Sequence, residues 1–286
     1  MNRGGPLLNV SFFGVRGSTP CPSEANRRYG GNTSCVALES PGHAPIVLDL
    51  GTGLRFWGAT LDPTDVFHGS ALITHLHWDH VQGLPFFTPV LKPSAHFDVY
   101  GPPQPECGSL ADAFNQFMRP PYFPVTTKDL LGDIRFHEAW DEDLELDGAK
   151  VKVRAVPHVG RTCGYRVEMG GATVAYLSDH QMPTDGSHDI ADGVLELCDG
   201  ADLLIHDAQY TVAEFPAKST WGHCTPDYAV HVAREAGARR LALFHHDPSH
   251  SDVDIDGMLA NARTLAEGTT IDEVVAAHEG LVITFA

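Results

Sequence analysis

Residues 75–80 read His-Leu-His-Trp-Asp-His and follow directly on the apolar run Ala71-Leu72-Ile73-Thr74. Metal-capable side chains at His75, His77, Asp79 and His80 are thereby packed into one short segment. A strand that ends in a short loop accounts for the spacing. In extended chain, positions i, i+2 and i+4 share one face, so His75, His77 and Asp79 are expected to converge. His80 breaks that period and is expected to point elsewhere if a helix begins at Asp79. One loop then offers nitrogen ligands to one ion and a carboxylate plus an imidazole to a second. Imidazole and carboxylate together suit zinc, with manganese and iron as alternatives. A chain with 17 histidines will cluster some of them by chance. Three His and an Asp in this order at the end of a strand are a more specific pattern.

The rest of the composition narrows what such a site could serve. With 286 residues, 43% of them hydrophobic, the chain can bury a sizeable core and is expected to form one domain spanning 1–286. Its formal charge of −18 repels phosphate backbones at long range, which disfavours nucleic acid as a partner but not a small phosphate ester in a local pocket. The six cysteines are scattered with no Cys-x-x-Cys pair, so neither a zinc ribbon nor a disulfide framework is expected. Met1 to Gly17 has no uninterrupted apolar segment or small-residue cleavage site, and no run approaches the roughly 18 apolar residues of a membrane span. The expectation is a cytoplasmic protein without a membrane partner; a homodimer is left open.

Along the chain, apolar runs end repeatedly in metal-type residues. Leu7 to Val15 is a strand leading into the turn-rich Arg16-Gly17-Ser18-Thr19-Pro20. Gly30-Gly31 suits either a phosphate-cradling nest or a plain turn. Ile46 to Leu50 is a buried strand carrying Asp49. Such an Asp must be hydrogen-bonded, either orienting a metal-bound His or capping a turn. Asp141 to Asp147 reads as an acidic turn before the strand Lys150 to Val156, which ends at Pro157-His158. A hairpin through Met169-Gly170-Gly171 delivers Ser178-Asp179-His180. Ala201 to Ile205 leads to His206-Asp207. Pro226 to Ala236 is a helix with Thr225 as N-cap and Gly237 beyond its end. Leu241 to Phe244 releases His245-His246. Strands in groups with helices between them, and candidate ligands at strand ends, indicate a layered α/β enzyme.

The motif His75-x-His77-x-Asp79-His80 resembles the signature of the metallo-β-lactamase superfamily, and the resemblance extends over roughly residues 9–286. It implies an αββα sandwich, two mixed β-sheets face to face with helices outside, and two divalent metal ions. It makes His75, His77 and His158 ligands of the first ion, Asp179 the bridging carboxylate, and Asp79, His80 and His245 ligands of the second. His245 is preferred to His246 because Arg240-Leu241-Ala242-Leu243-Phe244-His245 matches the family's strand-then-His register. With Asp79 and Asp179 present and no bridging cysteine, the set is similar to the phosphodiesterase branch, in which a metal-bridged hydroxide is the nucleophile.

A second resemblance concerns His206-Asp207-Ala208-Gln209-Tyr210 and Trp221-Gly222-His223-Cys224-Thr225. These are similar to segments of the tRNA 3′-processing endonuclease (RNase Z) group, and imply that His223 is a general acid oriented by Asp207, with Asp79 also in the catalytic set. The family's residue at position 207 is Glu, one methylene longer. In that group an arm that grips tRNA is inserted between the third His and the bridging Asp; here His158 and Asp179 are separated by a single hairpin. The expected reaction is therefore hydrolysis of a small phosphodiester, a cyclic nucleotide among the candidates. A carboxylic ester, lactone or lactam hydrolase on the same metals, and a non-enzymatic metal-binding sensory module, are the alternatives.

Overall fold

The computed structural model describes residues 7–286. The first residues of the segment read above for a targeting signal, 1–6, lie outside the described residues. In chain order the strands are β1 (Leu8–Gly14), β2 (Cys35–Glu39), β3 (Ile46–Leu48), β4 (His68–Leu72), β5 (His96–Gly101), β6 (Asp133–Glu138), β7 (Glu142–Leu146), β8 (Ala149–Ala155), β9 (Cys163–Met169), β10 (Ala172–Leu177), β11 (Leu203–Asp207), β12 (Arg240–Phe244), β13 (Glu273–Ala276) and β14 (Val282–Phe285). The helices are α1 (Leu54–Thr60), α2 (Trp78–Val81), α3 (Leu110–Phe117), α4 (Asp192–Cys198), α5 (Phe215–Lys218), α6 (Pro226–Glu235) and α7 (Asp252–Ala266).

Strand alternation builds the layers. Val174 and Tyr176 of β10, Leu203 and Ile205 of β11, and Ala242 and Phe244 of β12 face inward, where they meet Val10, Phe12, Val36 and Leu38 of β1 and β2. The alternate residues Ala175, Leu177, Leu204, Leu241 and Leu243 face outward and are covered by α4, α6 and α7. On the other side, Val47, Ala71, Phe97 and Val99 are covered by Leu54 and Trp57 of α1 and by Leu110 and Phe114 of α3. Strands apolar on both faces must be buried on both faces, which the four-layer arrangement satisfies. The fold is the αββα sandwich expected from the motifs.

Each sheet has seven strands, ordered β14-β1-β2-β3-β4-β5-β6 and β13-β12-β11-β10-β9-β8-β7. In each, one half is antiparallel, and β3 to β6 and β10 to β13 pair in parallel. The carboxyl ends of β3, β4, β10, β11 and β12 therefore emerge at one edge of the sandwich. That edge receives Asp49, the 75–80 loop, Asp179, Asp207 and His245, as expected of sites at strand ends in α/β proteins.

Two local expectations change. The acidic Asp141–Asp147 stretch is mostly a strand, β7, paired with β8 through the two-residue turn Asp147-Gly148, both at positive φ (46° and 81°). Leu144 and Leu146 point inward while the acids face solvent, an alternation hidden by the run of charge. Beside Gly30-Gly31, Asn32 donates from its backbone and side chain to Glu279, at 2.6 and 3.0 Å. The helix after the histidine loop begins at Trp78, one residue earlier than expected. Among the described residues no helix is long and apolar enough to cross a membrane.

Candidate metal centre

The early start of α2 decides how the 75–80 loop is divided. The chain stays extended through His77 (ψ 151°), so His75 and His77 share a face and their Nε2 and Nδ1 atoms lie 2.7 Å apart. The single helical turn then swings Asp79 away from that pair and brings it beside His80, Oδ2 to Nε2 at 3.2 Å. His80 thus points into the same cavity, on its other side. Asp79 joins His80 and not the His75–His77 face.

Three other strand ends complete the arrangement. His75, His77, His158 and Asp179 each offer a ligand atom, all within 4.8 Å of one another; Asp79, His80 and His245 form a second such group. Asp179 lies between them. Its Oδ2 faces His158 at 3.7 Å and His75 at 3.8 Å, while its Oδ1 faces His80 at 3.1 Å and His245 at 3.3 Å. All seven residues expected to hold metal are brought together.

The donor set fits divalent cations. His80 Nε2 and Asp179 Oδ1 are buried, 3.1 Å apart, and yet neither is aligned for a hydrogen bond with any described residue. Orphaned buried polar atoms are uncommon and call for an ion or water. Burial keeps the His77 and His158 imidazoles below their ordinary pKa, and burial together with His80 does so for His75, leaving them neutral as ligands must be. Burial resists ionisation of Asp79 and Asp179, but the adjoining His80 and His245 hold both carboxyls well below the usual range. Burial alone would lower His80; Asp79, Asp179 and Asp49 instead raise it far above its ordinary value. The pocket is built around positive charge.

The ring nitrogens are oriented by partners behind them. His158 Nδ1 donates to the Gly222 carbonyl at 2.6 Å, directing Nε2 at the site. His245 Nδ1 donates to Gln209 Oε1 at 2.7 Å, directing its Nε2 at Asp79, 3.1 Å away. His80 Nδ1 donates to Asp49 Oδ2 at 2.8 Å. Asp49 also accepts from the Thr74 amide at 2.8 Å and the Tyr176 hydroxyl at 2.9 Å, so it both orients a histidine and secures a turn. The Ser18 amide donates to Asp79 Oδ2 at 2.6 Å. His246 turns away, its Nε2 donating to the Ala277 carbonyl at 2.9 Å.

Sequence reasoning missed Gly222, Gln209, Ser18 and Gly17 as individual contributors. A Cβ at Gly17 would strike the His245 ring, and one at Gly222 the His158 ring. Their only sequence signal was a glycine or polar residue close to a motif histidine or aspartate.

Beside the ligand groups, His223 Nδ1 lies 2.7 Å from Asp207 Oδ2 and 3.7 Å from Asp179 Oδ2. Asp207 is fully buried and also accepts from the amides of Gln209 (2.9 Å) and His180 (3.2 Å), which fixes it independently of His223. Burial would lower the His223 pKa, but Asp207, Asp179 and Asp79 raise it above the ordinary value, favouring a proton held on this ring.

Comparison with known proteins agrees with the fold. Residues 60–246 match the family model described as a beta-lactamase superfamily domain. A ribonuclease Z from Synechococcus sp. (strain WH7803) is 28% identical, over 92% of this chain and 94% of that one. Among solved structures, the metallo-beta-lactamase fold protein YhfI from Bacillus subtilis superposes with a TM-score of 0.72 at 20% identity, covering 98% of this chain and all of that one (100%). A diphosphatase from the PhnP family gives 0.70 at 21% identity, covering 98% of each chain. With the αββα layers, the histidine and aspartate clusters at one sheet edge and a family match over most of its length, the chain belongs to the metallo-β-lactamase superfamily of metal-dependent hydrolases.

Proposed function

We propose that the protein is a single-domain (1–286), cytoplasmic, dinuclear metal phosphodiesterase acting on small diesters, cyclic nucleotides among them. The observation that carries this reading is the buried Asp207–His223 pair beside Asp179, the carboxylate whose two oxygens face different ligand groups. His75, His77, His158 and Asp179 would hold one ion, and Asp179, Asp79, His80 and His245 the other, zinc being the best match to the donors. When bound, the ions supply Lewis acidity, activating water near neutral pH and neutralising charge on phosphoryl oxygens.

The chain's own residues do the remainder. Asp207 holds the His223 ring through Nδ1, so that Nε2 is the atom left to carry a proton to the departing alkoxide. An alkoxide is a poor leaving group, and a proton donor is what diester hydrolysis needs beyond the ions. A lactam or activated ester hydrolase has less use for such a pair. The names of the relatives, ribonuclease Z and diphosphatase, concern phosphorus–oxygen bonds and support the same class. Against a tRNA substrate stand the overall charge of −18 and the connection from β9 to β10, a tight turn at Gly170-Gly171 with no inserted arm.

The test is a hydrolysis screen with metal-quantified protein. Bis(p-nitrophenyl) phosphate and cyclic nucleotides are compared with diphosphate esters, nitrocefin and lactones. Turnover of diesters is expected. Turnover confined to lactones or nitrocefin would replace this reading with ester or lactam hydrolysis, and silence on every substrate at full metal occupancy would favour a sensory role.

A further inference from the structure

The three loops that carry His77, His158 and His223 meet in a row, with ring centroids 5.2 Å apart for His77–His158 and 5.4 Å for His158–His223. Each loop exposes a large apolar side chain within two residues of its histidine. Trp78 follows His77 and is 70% exposed; Val159 follows His158; Trp221 precedes Gly222-His223 and is 61% exposed. His77 is itself exposed, so the row reaches solvent at its His77 end. The other two tryptophans behave differently: Trp57 is fully buried and Trp140 packs against the inter-sheet core. Folding therefore does not account for indoles at 78 and 221.

Charge makes their role more definite. A diester is an anion, and three cations near these loops already lie against other groups of the protein. Lys218 lies 3.1 Å from Asp247 and 3.9 Å from Glu214, Arg161 lies over the Trp140 ring, and buried Arg16 donates to the carbonyls of Gly30, Asp247 and His250. The exposed indoles offer uncharged surface for the organic part of the substrate. Indole offers a flat, polarisable face on which a planar heteroaromatic ring stacks without regard to charge.

We propose that Trp78 and Trp221 form an aromatic clamp for a nucleobase, making the preferred substrate a nucleoside phosphodiester. This rests on the phosphodiesterase reading above and adds its specificity. Both indoles are bonded into the segments that hold His77 and His158: Trp78 lies between His77 and Asp79, and the residue after Trp221 supplies the carbonyl that orients His158. A base stacked there would position its phosphate over the ligand row.

The test compares metal-loaded wild type, Trp78→Ala and Trp221→Ala on thymidine 5′-p-nitrophenyl phosphate and methyl p-nitrophenyl phosphate. These share a leaving group and differ only in the retained ester. Wild type is expected to prefer the thymidine ester through KM, and each alanine variant to lose that preference by roughly 5- to 100-fold, with Trp→Phe restoring part of it. Equal kcat/KM for the two esters in wild type, or an unchanged ratio in both variants, would overturn the clamp. Hydrolysis of neither ester would defeat the phosphodiesterase reading instead. The clamp is then decided by calorimetric binding of thymidine 5′-phosphate: weaker binding in both variants supports it, and equal binding overturns it.

Discussion

Asp207 Oδ2 and His223 Nδ1 lie 2.7 Å apart although residue 207 is one methylene shorter than the glutamate found in the similar RNase Z segment. The missing length is made up by the backbone, since Asp207 is the last residue of β11 and the Gln209 and His180 amides clasp it where His223 arrives. If His223 protonates the leaving alkoxide, His223→Ala should slow hydrolysis of a diester with an unactivated alcohol by roughly 10²–10⁴-fold. The loss should be far smaller with p-nitrophenolate, which leaves without a proton. Asp207→Asn should act in the same direction, more weakly. Equal losses on the two substrates, or loss of bound metal, would sink the assignment.

Asp179 presents one oxygen to each ligand group. Elemental analysis of purified protein should find two ions per chain, and Asp179→Ala should abolish activity and lower metal content. Fewer than about one ion per fully active chain would end the dinuclear reading. Near-normal turnover by the variant would show that the bridge lies elsewhere.

Asp49 is fully buried, with φ at +59°, and accepts from His80, Thr74 and Tyr176. Asp49→Asn preserves the shape and tolerates that left-handed backbone, but loses the charge facing His80. Zinc affinity, measured by competition with a chelator, should fall roughly 10- to 100-fold. Asp49→Ala should also destabilise the fold, because each buried donor left without a partner costs about 1–3 kcal/mol. Wild-type zinc affinity in Asp49→Asn would remove the orienting role.

Gly222 and Gly237 both have positive φ, 97° and 65°, but only the first abuts a histidine. Alanine at either position should lower Tm through backbone strain of roughly 1 kcal/mol. Only Gly222→Ala should also lose metal, because its Cβ displaces His158. Full metal content in Gly222→Ala would mean that the His158–Gly222 contact does not position the ligand.

His246 contributes to the pH dependence of stability. Burial pushes its pKa from an ordinary 6.5 down to about 3, and its neutral Nε2–H donates to Ala277. The unfolded chain binds a proton at this residue well before the folded chain does. Stability is therefore complete above pH 6.5 and declines as pH falls towards 3, by up to ~1.4 kcal/mol per pH unit. Burial also lowers His75, His77, His158, His180 and His206, so the diagnostic quantity is the difference between variants. In chelator-treated protein, His246→Asn should show a shallower fall in unfolding free energy between pH 7 and 5 than wild type. Parallel slopes would assign the acid sensitivity to other groups.

The sequence by itself determined the elements of the site that depend on local order. Extended chain ending in His75-Leu76-His77 must put both rings on one face, and the near-continuous apolar runs of β10, β11 and β12 must be buried on two sides, so layers and strand-end ligands follow from the pattern. Local order could also suggest that Asp207 and His223 work together, because each sits in a recognisable segment. Tertiary structure alone decided the remainder. Gln209 reaches His245 across 36 positions of chain, Gly222 reaches His158 across 64, and Asp179 closes on the His80 ring from the opposite sheet. Those relations depend on how two sheets stack and on which residue begins a one-turn helix. They arise from packing between distant segments, which no spacing within a single segment encodes.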